Sequence, residues 1–306
     1  MFKAFWDQGD SYSYNFEYKR LRANKDGDTT DVFSMGGIRT LTVVSADEEG
    51  YTLRYTADDT PASDPDLTIM MTDAQSRGLS VPILFHTDPD GDIDLILNAD
   101  KTIREMEKAS SDYADYMLDK LPKSSRKVVN KKALKELLME QFNTSDKLAQ
   151  WFREDVGMLF TFFGGKYKMD KIYEDETTLS VQPQSGTIYS HTQILVPSEY
   201  ADDYSAVCEY DSYTEDPRLK EAFMGKAADT AGGTFSGLID NLGEQVGSSW
   251  GNAGLSYEEN FVEEVHMSSG WPIYGRYTRS LNAETADGNS SRLDVKIWKI
   301  IVPEGE

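Results

Sequence analysis

The sequence predicts an α+β protein in which a large, curved, mostly antiparallel sheet, a half-barrel, packs on central helices. Three observations lead there. Segments with the period-two alternation of half-buried strands lie on both sides of the chain's middle. The stretch from Asn98 to Gly164 instead spaces its apolar residues by threes and fours, from Ile103 and Met106 through Leu134, Leu137, Leu148, Trp151 and Phe152 to Phe160 and Phe163. The order β, α, β, α, β is joined by tight turns and lacks the βαβ rhythm of a parallel sheet. A helical stripe of this kind needs a sheet to lie on, so Leu137, Trp151 and Phe160 are expected to be buried against it.

Taken in order, Tyr12, Tyr14, Phe16 and Tyr18 alternate with Ser13, Asn15, Glu17 and Lys19, which is a first strand. Asp26-Gly27 turns the chain into Val32 to Met35, Gly36-Gly37 breaks it, and Leu41 to Ser45 follows. Glu49-Gly50 makes a hairpin into Tyr51, Leu53 and Tyr55. A loop rich in Asp, Pro and Ser covers Ala57 to Asp66, before strands at Leu67 to Met71 and Pro82 to His86. Asp90-Gly91 closes a further hairpin into Ile93, Leu95 and Leu97. The helical middle breaks at Pro122 to Ser125, restarts with Asn130 as N-cap, and ends at Gly164-Gly165. Strands resume at Tyr167 to Ile172, Thr178 to Gln182, Ile188 to Val196 and Ser205 to Tyr210, with turns at Glu174 to Glu176 and Gln184 to Gly186. Asp216-Pro217 opens a second helical zone, where Phe235, Leu238, Leu242, Val246 and Trp250 recur at helical spacing. The last strands are Asn260 to Met267, Ile273 to Leu281 and Arg292 to Val302.

At 306 residues the chain reads as a single α+β domain, 1–306, with the alternative of two related halves, about 1–165 and 166–306. Leu97-Asn98-Ala99-Asp100 and Leu281-Asn282-Ala283-Glu284 carry that faint echo. Hydrophobic residues at 39% and charged residues at 27%, with 17 Tyr and 13 Phe, give a globular composition. The formal charge of −22 repels phosphate backbones and anionic head groups, so nucleic acid is disfavoured as a partner. Cys208 is the single cysteine, which excludes an internal disulfide and a Cys-rich metal knuckle. No run approaches the ~18 apolar residues of a spanning helix. Met1 to Asp10 lack the basic start and apolar core of a signal peptide.

The candidate sites each compete with a structural role. Asp88, Asp90, Asp92 and Asp94 surround Gly91 with the alternating carboxylates that suit calcium, yet the EF-hand pattern fails at Ile93 and Ala99, and Asp90-Gly91 is also what a tight hairpin requires. His86, His191 and His266 are far apart and form no zinc motif. No G-x-S-x-G elbow, P-loop or G-x-G-x-x-G occurs, and no cofactor is expected. An apolar ligand site is expected instead, drawn from Tyr14 and Phe16 of the first strand, Trp151 and Phe160 of the helical middle, and Phe235, Leu242 and Trp250 of the second zone. The same residues also suit a packed core, the commoner role of such residues. Interior glycines make the segment from Thr230 to Gly254 the weakest cover over such a site.

The Tyr-x-Phe-x-Tyr strand, the Thr-Leu-Thr-Val-Val and Asp-Glu-Glu-Gly-Tyr hairpin, the Pro82 to Asn98 segment with its Asp-x-Asp-Gly, and the Ser-Gly-Trp-Pro turn at Ser269 to Pro272 together resemble cell-envelope lipoprotein domains of Bacteroidetes-type bacteria. Such domains are similar in architecture to lipoprotein-carrier folds of the LolA and LolB kind. The resemblance implies an exported, periplasmic or cell-surface lipoprotein whose signal segment has been removed and whose lipid anchor is absent from this chain. The function expected is a non-enzymatic envelope binding or interaction module, holding an apolar or peptide-like ligand between sheet and helices. Its partner would be an apolar small molecule or a protein. The alternative is a hydrolase whose site is assembled from distant segments.

Overall fold

The computed structural model describes residues 2–23, 28–61, 81–120, 130–139, 143–179, 186–202, 204–219, 221–222, 254–285 and 288–302, apart from a few side chains within them such as that of Leu137. Among these residues, eleven strands form one sheet. In chain order they are β1 (Ser11–Ala23), β2 (Thr29–Asp47), β3 (Gly50–Pro61), β4 (Ile83–Thr87), β5 (Ile93–Ile96), β6 (Tyr173–Thr178), β7 (Tyr189–Leu195), β8 (Ser205–Thr214), β9 (Gly254–His266), β10 (Pro272–Thr285) and β11 (Gly288–Ile300). Their spatial order is β5-β4-β3-β2-β1-β11-β10-β9-β8-β7-β6. All ten ladders are antiparallel, as the turn pattern predicts. The sheet-dominated α+β class is that expected, with β5 and β6 as its two edges.

That order explains why the helical middle lies where it does. β5 and β6 follow one another in sequence but sit at opposite edges, so the chain between them must cross a face of the sheet. It does so as α1 (Ala99–Lys120), α2 (Lys131–Met139), α3 (Ser145–Asp155) and a 3₁₀ turn, Gly157–Phe160. Asn130 caps α2, its side-chain oxygen accepting from the amides of Lys132 and Ala133, and Thr144 caps α3 by accepting from Lys147. Leu148, Phe152 and Val156, spaced by fours, are all fully buried. Phe152 meets Phe85 at 4.9 Å and Tyr55 at 5.9 Å, while Phe162 stacks on Phe261 at 5.6 Å. Phe160 is buried as expected, and Trp151 is half-buried against the same core.

The segment ahead of β1 closes one end of this layer. Phe2 exchanges backbone hydrogen bonds with residues 164 and 165, Ala4 donates to Asp90, and Phe5 donates to Ser269. Three turns are thereby held together by one strap. Trp6 within it stacks on Trp271 at 4.8 Å and packs on Tyr51, Phe160 and Phe163. Gly91 has φ +103°, and a Cβ there would lie 2.6 Å from the Phe163 ring, so the Asp90-Gly91 turn needs glycine for its conformation and for this contact.

Several boundaries differ from the sequence reading. Gly36-Gly37 does not break the chain: both residues stay in the β2 ladder opposite Glu17 and Phe16, where pairing on two sides holds them extended. β3 continues through the first part of the expected loop, to Pro61. Residues 167–172 form no strand, and the expected turn at Glu174 to Glu176 lies inside β6. β6 is an edge strand exposed along most of its length, so it needs no apolar alternation, and its acidic residues suit an unpaired edge. The expected strand at Leu67 to Met71, the helix break at Pro122 to Ser125, and the second helical zone from Thr230 to Gly254 lie outside the described residues.

Candidate functional site

Antiparallel register builds the site. Residues directly opposite one another share a face, and Arg20 of β1 faces Asp294 of β11, which faces Arg279 of β10, which faces Glu259 of β9, which faces Ser212 of β8. One row across five strands therefore reads Arg, Asp, Arg, Glu, Ser. The next row towards the strap is Tyr18, Lys296, Tyr277, Phe261 and Tyr210. Both rows share the inward parity of Tyr14, Phe16 and Trp298, so the charges face the helices and not solvent.

Asp294 is the hub. Its carboxylate accepts from Arg20 Nε at 2.7 Å, Tyr18 Oη at 3.0 Å, Arg292 Nη2 at 2.9 Å and Arg279 Nη2 at 3.2 Å. Burial alone would raise its pKa, but the guanidiniums of Arg292, Arg20 and Arg279 outweigh that and hold it well below the usual carboxylate range. Beside it, Glu259 accepts from the hydroxyls of Tyr257 and Tyr277, both at 2.5 Å. Burial first, and the Glu259 charge second, push both phenols far above their ordinary values, so they stay donors.

Between these rows and the helical layer lies a cavity of about 420 Å³. Its floor is Tyr277, Arg279, Asp294, Lys296, Glu259, Phe261 and Tyr210; its roof is Arg153 of α3 with Gly157, Met158, Phe160 and Thr161; Asp92 and Ile93 close one side. The volume falls within the roughly 300–1,000 Å³ typical of small-molecule sites. The wall is mixed, with Ile93, Met158, Phe160 and Phe261 apolar and the row around Arg279 charged. The 3₁₀ turn reaches this part of the sheet beside Gly275, where a Cβ would meet Leu159 at 3.0 Å.

No family model and no curated protein matches the chain. Among solved structures it is similar to one titled for lipid-protein interactions in lipovitellin, with a TM-score of 0.45 and 10% identity over 97% of this chain and 25% of that one. It thus spans about a quarter of the lipovitellin chain. A second, an outer membrane channel from Pseudomonas putida F1, gives a TM-score of 0.14 and 7% identity over 98% of each chain. Likeness at this level leaves function to be argued from the site.

Of the residues expected to hold an apolar ligand, Phe160 alone among those described lines the cavity. Tyr14 is fully buried, its hydroxyl donating to the Pro272 carbonyl at 3.0 Å, and Phe16 is packed between Trp298 and the Arg39 guanidinium. Trp151 packs on the core, and Phe235, Leu242 and Trp250 lie outside the described residues. Asp88 accepts from the amides of Asp90, Gly91 and Asp92 within the turn, and Asp90 pairs with Lys3 at 3.0 Å, while Asp92 lines the cavity. No group of three or more His, Cys, Asp or Glu among the described residues is arranged to hold a metal ion.

The members of a hydrolytic site are present only in pairs among the described residues. His86 bonds Asp94 at 2.9 Å and His266 bonds Ser269 at 2.7 Å, and neither pair gains its third partner. Cys208 is buried, which together with nearby Glu263 pushes its thiol well above the ordinary range. The signal that sequence reasoning missed was parity. Arg20 continues the buried alternation of Tyr14, Phe16 and Tyr18, and Lys296 and Asp294 continue that of Trp298.

Proposed function

We propose that the chain is a non-enzymatic binding module that holds an elongated, largely apolar ligand between the sheet and the 3₁₀ turn, the sheet curving as a half-barrel around it. The observation that carries this reading is the cavity of about 420 Å³ with Phe261 in its floor, Met158 and Phe160 in its roof and Ile93 at one side. A cavity of this size with apolar residues in its wall suits an occupant. The envelope location implied by the resemblance belongs to the same reading.

The test is native mass spectrometry of the freshly purified full chain, with Nile red titration as a second measurement. A co-purifying lipophilic mass and saturable dye fluorescence are expected. Thr161→Trp, which adds an indole at the cavity wall, should weaken dye binding while leaving the melting temperature near that of the parent. Absence of both adduct and saturable dye binding in the parent protein would overturn the reading.

A further inference from the structure

We infer that the outer face of the sheet, centred on β11, is a self-association surface: its partner is a second copy of this chain, packed back to back about a two-fold axis along that strand. The inference concerns the face opposite the cavity and stands apart from the binding reading.

The first argument is polarity. An antiparallel sheet with helices on one face and water on the other turns its apolar residues towards the helices and its polar ones outward. β11 does the reverse over most of its length. Arg292, Asp294 and Lys296 point inward with Trp298, and Asp294 and Lys296 line the cavity. Leu293, Val295 and Ile297 alternate with them and so point outward, each half-buried by its neighbours on the sheet. Leu21 of β1 stands directly opposite Leu293. Because β11 is the middle strand of the eleven, this apolar stripe runs down the centre of the outer face. A central apolar stripe on an otherwise polar face is what a second sheet would cover.

The second argument is charge complementarity, and it selects the occupant. Glu17 of β1 and Arg276 of β10 lie opposite Ile297, one on each side, and both are exposed. Rotation by a half-turn about β11 keeps each residue's position along the strand and exchanges the two sides. Strand β1 of one copy then lies over β10 of the other. Glu17 of each copy meets Arg276 of the other, while Leu293, Val295 and Ile297 pack on their own counterparts. Within the chain Glu17 pairs with Lys19 at 3.2 Å, an exposed pair of the kind that contributes little. The overall charge of −22 opposes association in general, but around this stripe Glu17 stands among the cations Lys19, Arg276 and Lys299. Lys299, beyond Ile297, is exposed and long enough to turn into water.

The experiment is sedimentation velocity of the full chain from micromolar to submillimolar concentration at physiological salt, with circular dichroism and melting temperature as checks on folding. The mass should rise to twice that of the chain and stop there. Val295→Glu puts a charge on the stripe and should hold the folded protein monomeric throughout. Glu17→Arg should weaken the dimer about tenfold by setting like charges together. Adding Arg276→Glu to it should restore the parent's association. Glu17 and Arg276 are exposed and lie on strands that are not neighbours, so this rescue reports contact between copies and does not depend on how Val295→Glu folds. A parent that stays monomeric over the whole range overturns the inference and leaves the face to a different partner. A dimer that persists in folded Val295→Glu, a charge exchange that fails to rescue, or a mass that grows past two copies overturns it also.

Discussion

Glu263 faces inward on β9 between Gly275 and Cys208, is fully buried, and has no hydrogen-bond partner for either carboxyl oxygen among the described residues. Desolvation therefore raises its pKa well above the ordinary value of 4.5. The unfolded chain releases this proton near 4.5 and the folded chain at higher pH, so the folded state is favoured most below that value. Stability falls as pH rises towards the folded pKa. Glu263→Leu removes both the ionisation and the unmatched oxygens, and should stabilise the protein by ~1–3 kcal/mol at pH 8. Urea midpoints at pH 5 and pH 8 check this. The gain should be larger at pH 8, and a gain that is the same at both values would contradict the linkage.

At the scale of the strand, register turns isolated charges into a network. β1, β11 and β10 bring Arg20, Asp294 and Arg279 into line, and Arg292, two residues before Asp294 on β11, completes the shell. Asp294→Asn keeps the shape but leaves three guanidiniums around a neutral amide, and should cost ~3–5 kcal/mol, as expected when one partner of a buried ion pair is removed. Its pH dependence runs opposite to that of Glu263. The folded carboxyl titrates below its ordinary value of 3.8, so its contribution is present above that pH and is lost as pH falls towards the folded pKa. Acid unfolding followed by circular dichroism should therefore begin at higher pH in Asp294→Asn than in the parent.

For the whole molecule, the decisive contact is between the first strand and the last. Tyr14 to Ala23 of β1 pair with Ser291 to Ile300 of β11 at the sheet's centre. The ladder places Phe16 against Trp298 at 4.9 Å and closes the charge row. Dividing the chain at the proposed boundary of two halves, 1–165 and 166–306, exposes both strands as new central edges. Each half alone should give a poorly dispersed amide NMR spectrum, with dispersion recovered on mixing. A half that folds by itself would support the reading of two independent units.

The sequence by itself determined the antiparallel class, the inward parity of Tyr14 and Phe16, the cap at Asn130, and the tight turn at Asp90-Gly91. These follow from periodicity and short-range bonding, which a single strand, helix end or turn already contains. It did not determine that Tyr173–Thr178 is a strand, because edge pairing needs no apolar signature. Nor did it reveal the candidate site. Parity says that Arg20, Asp294, Arg279 and Glu259 each point inward, but alternation within a strand carries no information about which distant strand lies beside it. Only the pairing of β1 with β11, and the registers from β11 through β10 to β9, set those four residues in one row, since electrostatic compensation depends on distances between strands that tertiary packing alone fixes.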